Sequence, residues 1–92
     1  MPNARRMSTA PDALAAPPIE SLVGEMIATL ALAANAYLEP GDGPPDLAAA
    51  GLACDIAGVA FERIQERLGP EERSGLAGLL TNLRLSIVQK RG

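Results

Sequence analysis

The sequence predicts an all-α fold, a three-helix bundle, on three observations. Apolar residues recur at steps of three and four through three separate stretches. No segment alternates apolar and polar residues as a half-buried strand does. Clusters of proline and glycine, EPGDGPP from Glu39 to Pro45 and the pair Gly69-Pro70, divide the stretches where no helix continues. The expected organisation is a disordered tail over residues 1–17 and one domain over 18–92, with helices at about 18–38, 47–68 and 70–90.

The tail mixes Pro2, Pro11 and Pro17 with Ala, Ser, Thr and the pair Arg5-Arg6, and has no helical or strand period. Met7 to Ala16 is broken by Ser8, Thr9, Pro11 and Asp12, so no apolar core of a signal peptide follows the arginines. Pro17 and Pro18 suit a helix start, where proline's missing amide hydrogen is no loss. The first helix then presents Ile19, Leu22, Val23, Met26, Leu30, Ala33 and Tyr37 as its inner stripe, widened by Ile27 and Ala34, with Leu32 almost opposite. Its uncharged run from Met26 to Leu38 is shorter than the roughly 20 residues of a membrane span, which points to a buried core helix.

After the stiff loop, Asp46 is placed to cap the second helix by accepting from the amides of its first turn. Leu47, Ala50, Cys54, Ala57, Phe61, Ile64 and Leu68 form a packing seam within an arc of about 100°, its middle built of small side chains. Leu52, Ile56 and Val59 project from the opposite side. A helix with two apolar faces needs two partners, and only one of them is supplied by this chain. The second helix is expected to be central in the bundle and to form a helical oligomer through Leu32, Leu52, Ile56, Val59 or Leu85, the small-residue seam being able to pack either on the other two helices or across the two-fold.

Gly69 is expected in the left-handed conformation that ends this helix, and Pro70, Glu71 and Glu72 open the next with charge suited to a helix N-terminus. The third helix carries Leu76, Leu80, Leu83 and Ile87 inward, flanked by Leu79 and Val88, with Leu85 pointing away. Lys90 and Arg91 close it at the end where cations are favoured.

Composition narrows the function. The core must be aliphatic, because Tyr37 and Phe61 are the only aromatic residues. Absence of histidine removes the commonest catalytic base and metal ligand, so no catalytic, cofactor or metal residue is assigned and the chain reads as a non-enzyme. The single cysteine, Cys54, excludes an intrachain disulfide and fits the reducing cytoplasm; at the centre of the seam it serves as a small hydrophobe, a disulfide across a two-fold axis being the alternative. Asp55, Glu62 and Glu66 line one flank of the second helix as an ordinary solvated strip. Gly51 with Gly58 and Gly75 with Gly78 lack the lysine and strand of a phosphate loop and are read as points of close packing. Arg84, beside the inner stripe of the third helix, is a candidate partner for Asp55.

Charge is divided along the chain. Asp12, Glu20, Glu25, Glu39, Asp42, Asp46, Asp55 and Glu62 follow one another with no base among them, whereas Arg63, Arg67, Arg73, Arg84, Lys90 and Arg91 dominate the remainder. Folding back or antiparallel association brings these opposite fields together. A pI near 4.8 and two aromatics argue against nucleic acid as a partner. The first helix lacks the basic polar face of a membrane-surface helix.

Asp46-Leu47 with Ala50, the acid Asp55, the pair Glu71-Glu72, and Leu83-Arg84 followed by Val88 together resemble the domain of unknown function 1844 family, short bacterial proteins. The similarity extends over residues 19–90. The chain departs from the family's pattern at Arg67-Leu68-Gly69-Pro70, where a longer polar connection is usual, and at Ile87, where an aromatic residue is common. The resemblance implies a small cytoplasmic helical protein and supplies no mechanism, since the family has no assigned activity. The expected function is therefore self-association, most simply as a homodimer, or protein interaction. The alternatives are an adaptor for another protein's amphipathic helix and a protein resting on a membrane surface by its first helix.

Overall fold

The computed structural model describes residues 16–92; the expected tail lies, except for its last two residues, outside the described residues. Three α-helices, α1 (Ile19–Leu38), α2 (Leu47–Ile64) and α3 (Pro70–Arg91), are joined by a loop and by a short 3-10 turn over Gln65–Arg67, with no strand among the described residues. The fold is an all-α three-helix bundle.

Each boundary has a local cause. Pro18 precedes α1 in an extended conformation, and its carbonyl accepts from the Ser21 and Leu22 amides. At the other end of α1 the chain turns through Gly41 and Gly43, both at positive φ (84° and 77°), a region that other residues enter only with strain. Asp46 then caps α2, one carboxylate oxygen accepting from the Ala49 amide at 3.0 Å.

The far end of α2 differs from the expected geometry. The α-helix stops at Ile64, not Leu68, and tightens into the 3-10 turn, after which Leu68 is extended yet buried. Gly69 is not left-handed: at φ −68° and ψ 163° it is extended and leads directly into α3. The carbonyls freed at this corner are taken up by Arg73, whose guanidinium donates to the Gln65 carbonyl (3.1 Å) and the Leu68 carbonyl (3.2 Å). Glu72 reaches back to the Gly69 amide at 3.4 Å, half of a capping box, since glycine has no side chain to complete it.

The core has two lobes. In one, Ala31, Ala34 and Leu38 of α1 meet Ala50, Ala53 and Cys54 of α2 and Leu83 and Ile87 of α3. In the other, Ile27 meets Ala57, Ile64, Leu68 and Leu80. These groupings make α1 and α3 parallel and α2 antiparallel to both. Among the described residues Ile27, Leu38, Leu80 and Leu83 are the large side chains withdrawn almost wholly from water. In the first lobe Ala31 and Ala34 face Ala50 and Ala53, small side chains that let the two backbones approach closely.

That alanine contact turns α1 by about 90° from the orientation its most apolar stripe suggests. Ile27, Ala31, Ala34 and Leu38 face inward, whereas Ile19, Leu22, Met26 and Tyr37, expected inside, are exposed. Small side chains on both helices interdigitate at short range, and the bulkier row is left outside. The expectation that α1 is a buried core helix is corrected accordingly: only 22% of its most apolar window is buried.

Candidate functional site

The exposed row of α1 and the second apolar face of α2 lie on the same side of the bundle. Leu22, Met26 and Leu30 enclose a groove of about 430 Å³ with Ile56, bordered by Glu25 and Thr29. Ile56 continues into a shallower hollow with Val59, Ala60 and Asp55. Leu52, one turn before Ile56, extends the same row. Met26 retains 53% of its surface in water, Leu52 62% and Val59 59%, so the bundle leaves this face uncovered.

Along α2 the row runs Leu52, Ile56, Val59 and Arg63 at steps of four, three and four; along α1 it runs Ile19, Leu22, Met26, Thr29 and Ala33 at steps of three and four. Such spacing is that of helix seams that pack knob into hole against a partner. Of the five residues expected to supply an oligomer surface, Leu52, Ile56 and Val59 belong to this face. Leu32 and Leu85 are exposed, but neither lines the groove or the hollow.

Members of the expected packing seam fall into two positions. Ala50, Cys54, Ala57, Ile64 and Leu68 are buried, and Leu47 and Phe61 pack half-buried at its edges. Cys54, 3% exposed, is a free thiol within the core. Its burial suits the role of a small hydrophobe in the seam.

A second cleft of about 570 Å³ separates α2 from α3, with Leu47, Gly51 and Asp55 on one wall and Arg84, Val88 and Arg91 on the other. Asp55 and Arg84 thus share a cleft, but they form no ion pair. The Arg84 guanidinium instead lies over Gly58, its Nη2 2.6 Å from where a side-chain Cβ would sit. The absence of that Cβ opens the floor on which Arg84 rests, and long reach along a neighbouring helix does not bring it to Asp55. Gly51, Gly75 and Gly78, read as close-packing points, have open space where a Cβ would project.

Ion pairs among the described residues join the acidic first half of the chain to the basic second half. Arg67 Nε meets Glu20 Oε1 at 3.2 Å, and Lys90 Nζ meets Glu39 Oε2 at 2.6 Å, one at each end of the bundle. A hydrogen bond from its own backbone amide and then the Arg67 guanidinium hold the Glu20 carboxyl below its ordinary value of 4.5. No group of three or more Cys, Asp or Glu side chains able to hold a metal occurs among the described residues.

Two features had only faint sequence signals. The orientation of α1 is marked by Ala31 and Ala34 at the same spacing as Ala50 and Ala53, a small-residue match that outweighs the bulkier row. The clamp formed by Arg73 is marked by nothing local, because it depends on the turn it closes.

No family model, no curated protein and no solved structure matches this chain.

Proposed function

We propose that this chain is a non-enzymatic self-association module, forming a homodimer through the face built from Leu22, Met26, Leu52, Ile56 and Val59. The observation that carries this reading is the uncovered, seam-like double row of apolar side chains beside a core in which alanines of α1 and α2 face one another. A contiguous apolar face of this kind on a small domain marks an interaction surface. Its size agrees. A two-helix face about 27 Å long and about 20 Å wide projects roughly 500 Å², and its corrugated accessible area approaches the roughly 800 Å² per partner of a stable interface. The resemblance to the domain of unknown function 1844 family is compatible with this reading and adds no chemistry. The single buried thiol suits a reducing cytoplasm, where we place the dimer.

Light scattering of the purified chain at micromolar concentration tests the proposal. A mass of twice the chain is expected, and Ile56→Glu or Met26→Glu is expected to give a helical monomer by circular dichroism. A wild-type monomer overturns it, and binding of a synthetic amphipathic helix to that monomer then identifies the adaptor function.

One observation favours a second reading. α1, with a mean hydropathy of 1.4 over its best window, is long and apolar enough by length and composition to cross a membrane. Against it stand Glu20 and Glu25 within the helix and the packing of its alanine face on α2. Flotation with liposomes distinguishes this reading, since a self-associating module stays in the aqueous fraction.

A further inference from the structure

We infer that the two copies meet with their dyad along the bundle axis, so that α1 of each lies over α2 of the other and Glu25 pairs with Arg63 of the second copy. This inference rests on the self-association proposed above and specifies its geometry.

A face made of two antiparallel rows can be self-complementary in two ways. With the dyad across the helices, α1 lies on its own counterpart and α2 on its own, and each charge at one end of the face meets the opposite end. Arg63 would then stand over the apolar N-terminal turns of α2, near Ala49, and Glu25 over the middle of α1. Both charges would lose water with nothing to pair with, an arrangement that costs free energy. With the dyad along the helices, each end of the face meets the same end of its twin, and the acid on α1 faces the base on α2.

Register within the chain supports the second arrangement. Ile27 and Ala57 share one core lobe, so α1 at residue 27 is level with α2 at residue 57. Arg63, six residues beyond Ala57, is level with Ser21, which places it four residues, about 6 Å along the axis, from the level of Glu25. Long side chains span that offset. Glu25 borders the groove beside Leu22 and Met26, and Arg63 ends the row begun by Leu52. Neither takes part in an ion pair among the described residues, in contrast to Glu20 and Glu39, whose partners are Arg67 and Lys90. The arrangement also gives each α1 an antiparallel neighbour across the interface, the packing of an up-and-down four-helix layer, with α3 outside.

Charge reversal tests this on the full chain by sedimentation equilibrium. Glu25→Arg and Arg63→Glu are each expected to weaken the dimer at least about fivefold at low salt, because each sets like charges against one another twice per dimer. The double variant, with the charges exchanged, is expected to return to within about threefold of the wild-type dissociation constant. Circular dichroism and thermal melting of each variant at matched helicity separate loss of association from loss of fold. A dimer that is indifferent to the single reversals, or a double variant as weak as the product of the singles, overturns this arrangement and leaves self-association standing. A wild-type chain that is monomeric overturns both.

Discussion

Asp46 closes the first turn of α2 by accepting from the Ala49 amide at 3.0 Å, on an exposed edge where water competes. Replacement by Ala leaves that amide without a protein acceptor, and Asp46→Ala is expected to cost about 1 kcal/mol, read from the urea midpoint at constant m. Glu20 gives the molecule a pH signature. Its own amide and Arg67 hold its folded pKa below the ordinary 4.5, so the folded state releases this proton more readily than the unfolded chain does. The resulting stability is present above the ordinary value and is lost as pH falls through the lowered one. Glu20→Gln should therefore destabilise the protein at pH 7 and have progressively less effect toward pH 3. Equal loss at both pH values would show that the carboxylate charge is not what the site uses.

At the scale of the element, glycine positions in α3 offer a direct test of packing. Gly75 and Gly78 sit within the helix, exposed, with nothing within 4 Å of where a Cβ would stand. Gly75→Ala and Gly78→Ala are expected to raise stability by about 0.5–1 kcal/mol each, measured by thermal melting, since Ala restricts the unfolded chain and fills empty space. A fall in stability would mean that another backbone covers this face in the assembled protein. How far elements could be read from sequence follows the same physics. The helix starts were legible because Pro18, Asp46 and Pro70 act locally, whatever the rest of the chain does. The inward face of α1 was not, because apolar residues cover more than one side of that helix and hydrophobicity alone cannot rank them. Shape decided it: Ala31 and Ala34 fit Ala50 and Ala53, and Leu22 and Met26 were excluded. The end of α2 shifted for a similar reason, since the Gln65–Arg67 turn is held by Arg73 from the following helix. Of the proposed interface, Leu52, Ile56 and Val59 were visible as a second stripe on α2; the α1 half depended on tertiary packing.

For the whole molecule, the decisive quantity is how much of the fold's stability comes from the chain alone. Among the described residues the large side chains of the core are Ile27, Leu38, Ile64, Leu68, Leu80, Leu83 and Ile87, and the alanines beside them each bury little apolar area. A domain of this size with such a core is marginal by itself. Met26, Leu52, Ile56 and Val59 are held at the surface, where closing a second copy over them would bury further apolar area. Folding and association are then linked by mass action, because the unfolded chain has no face to offer. The unfolding midpoint should rise with protein concentration, each tenfold increase adding about 1.4 kcal/mol per mole of dimer, while Ile56→Glu melts lower and at a temperature independent of concentration. Thermal scans at 2, 20 and 200 μM, values of about these orders, discriminate the cases. A midpoint fixed across that range would place all the stability within one chain and remove the energetic reason for the double apolar row to meet its twin.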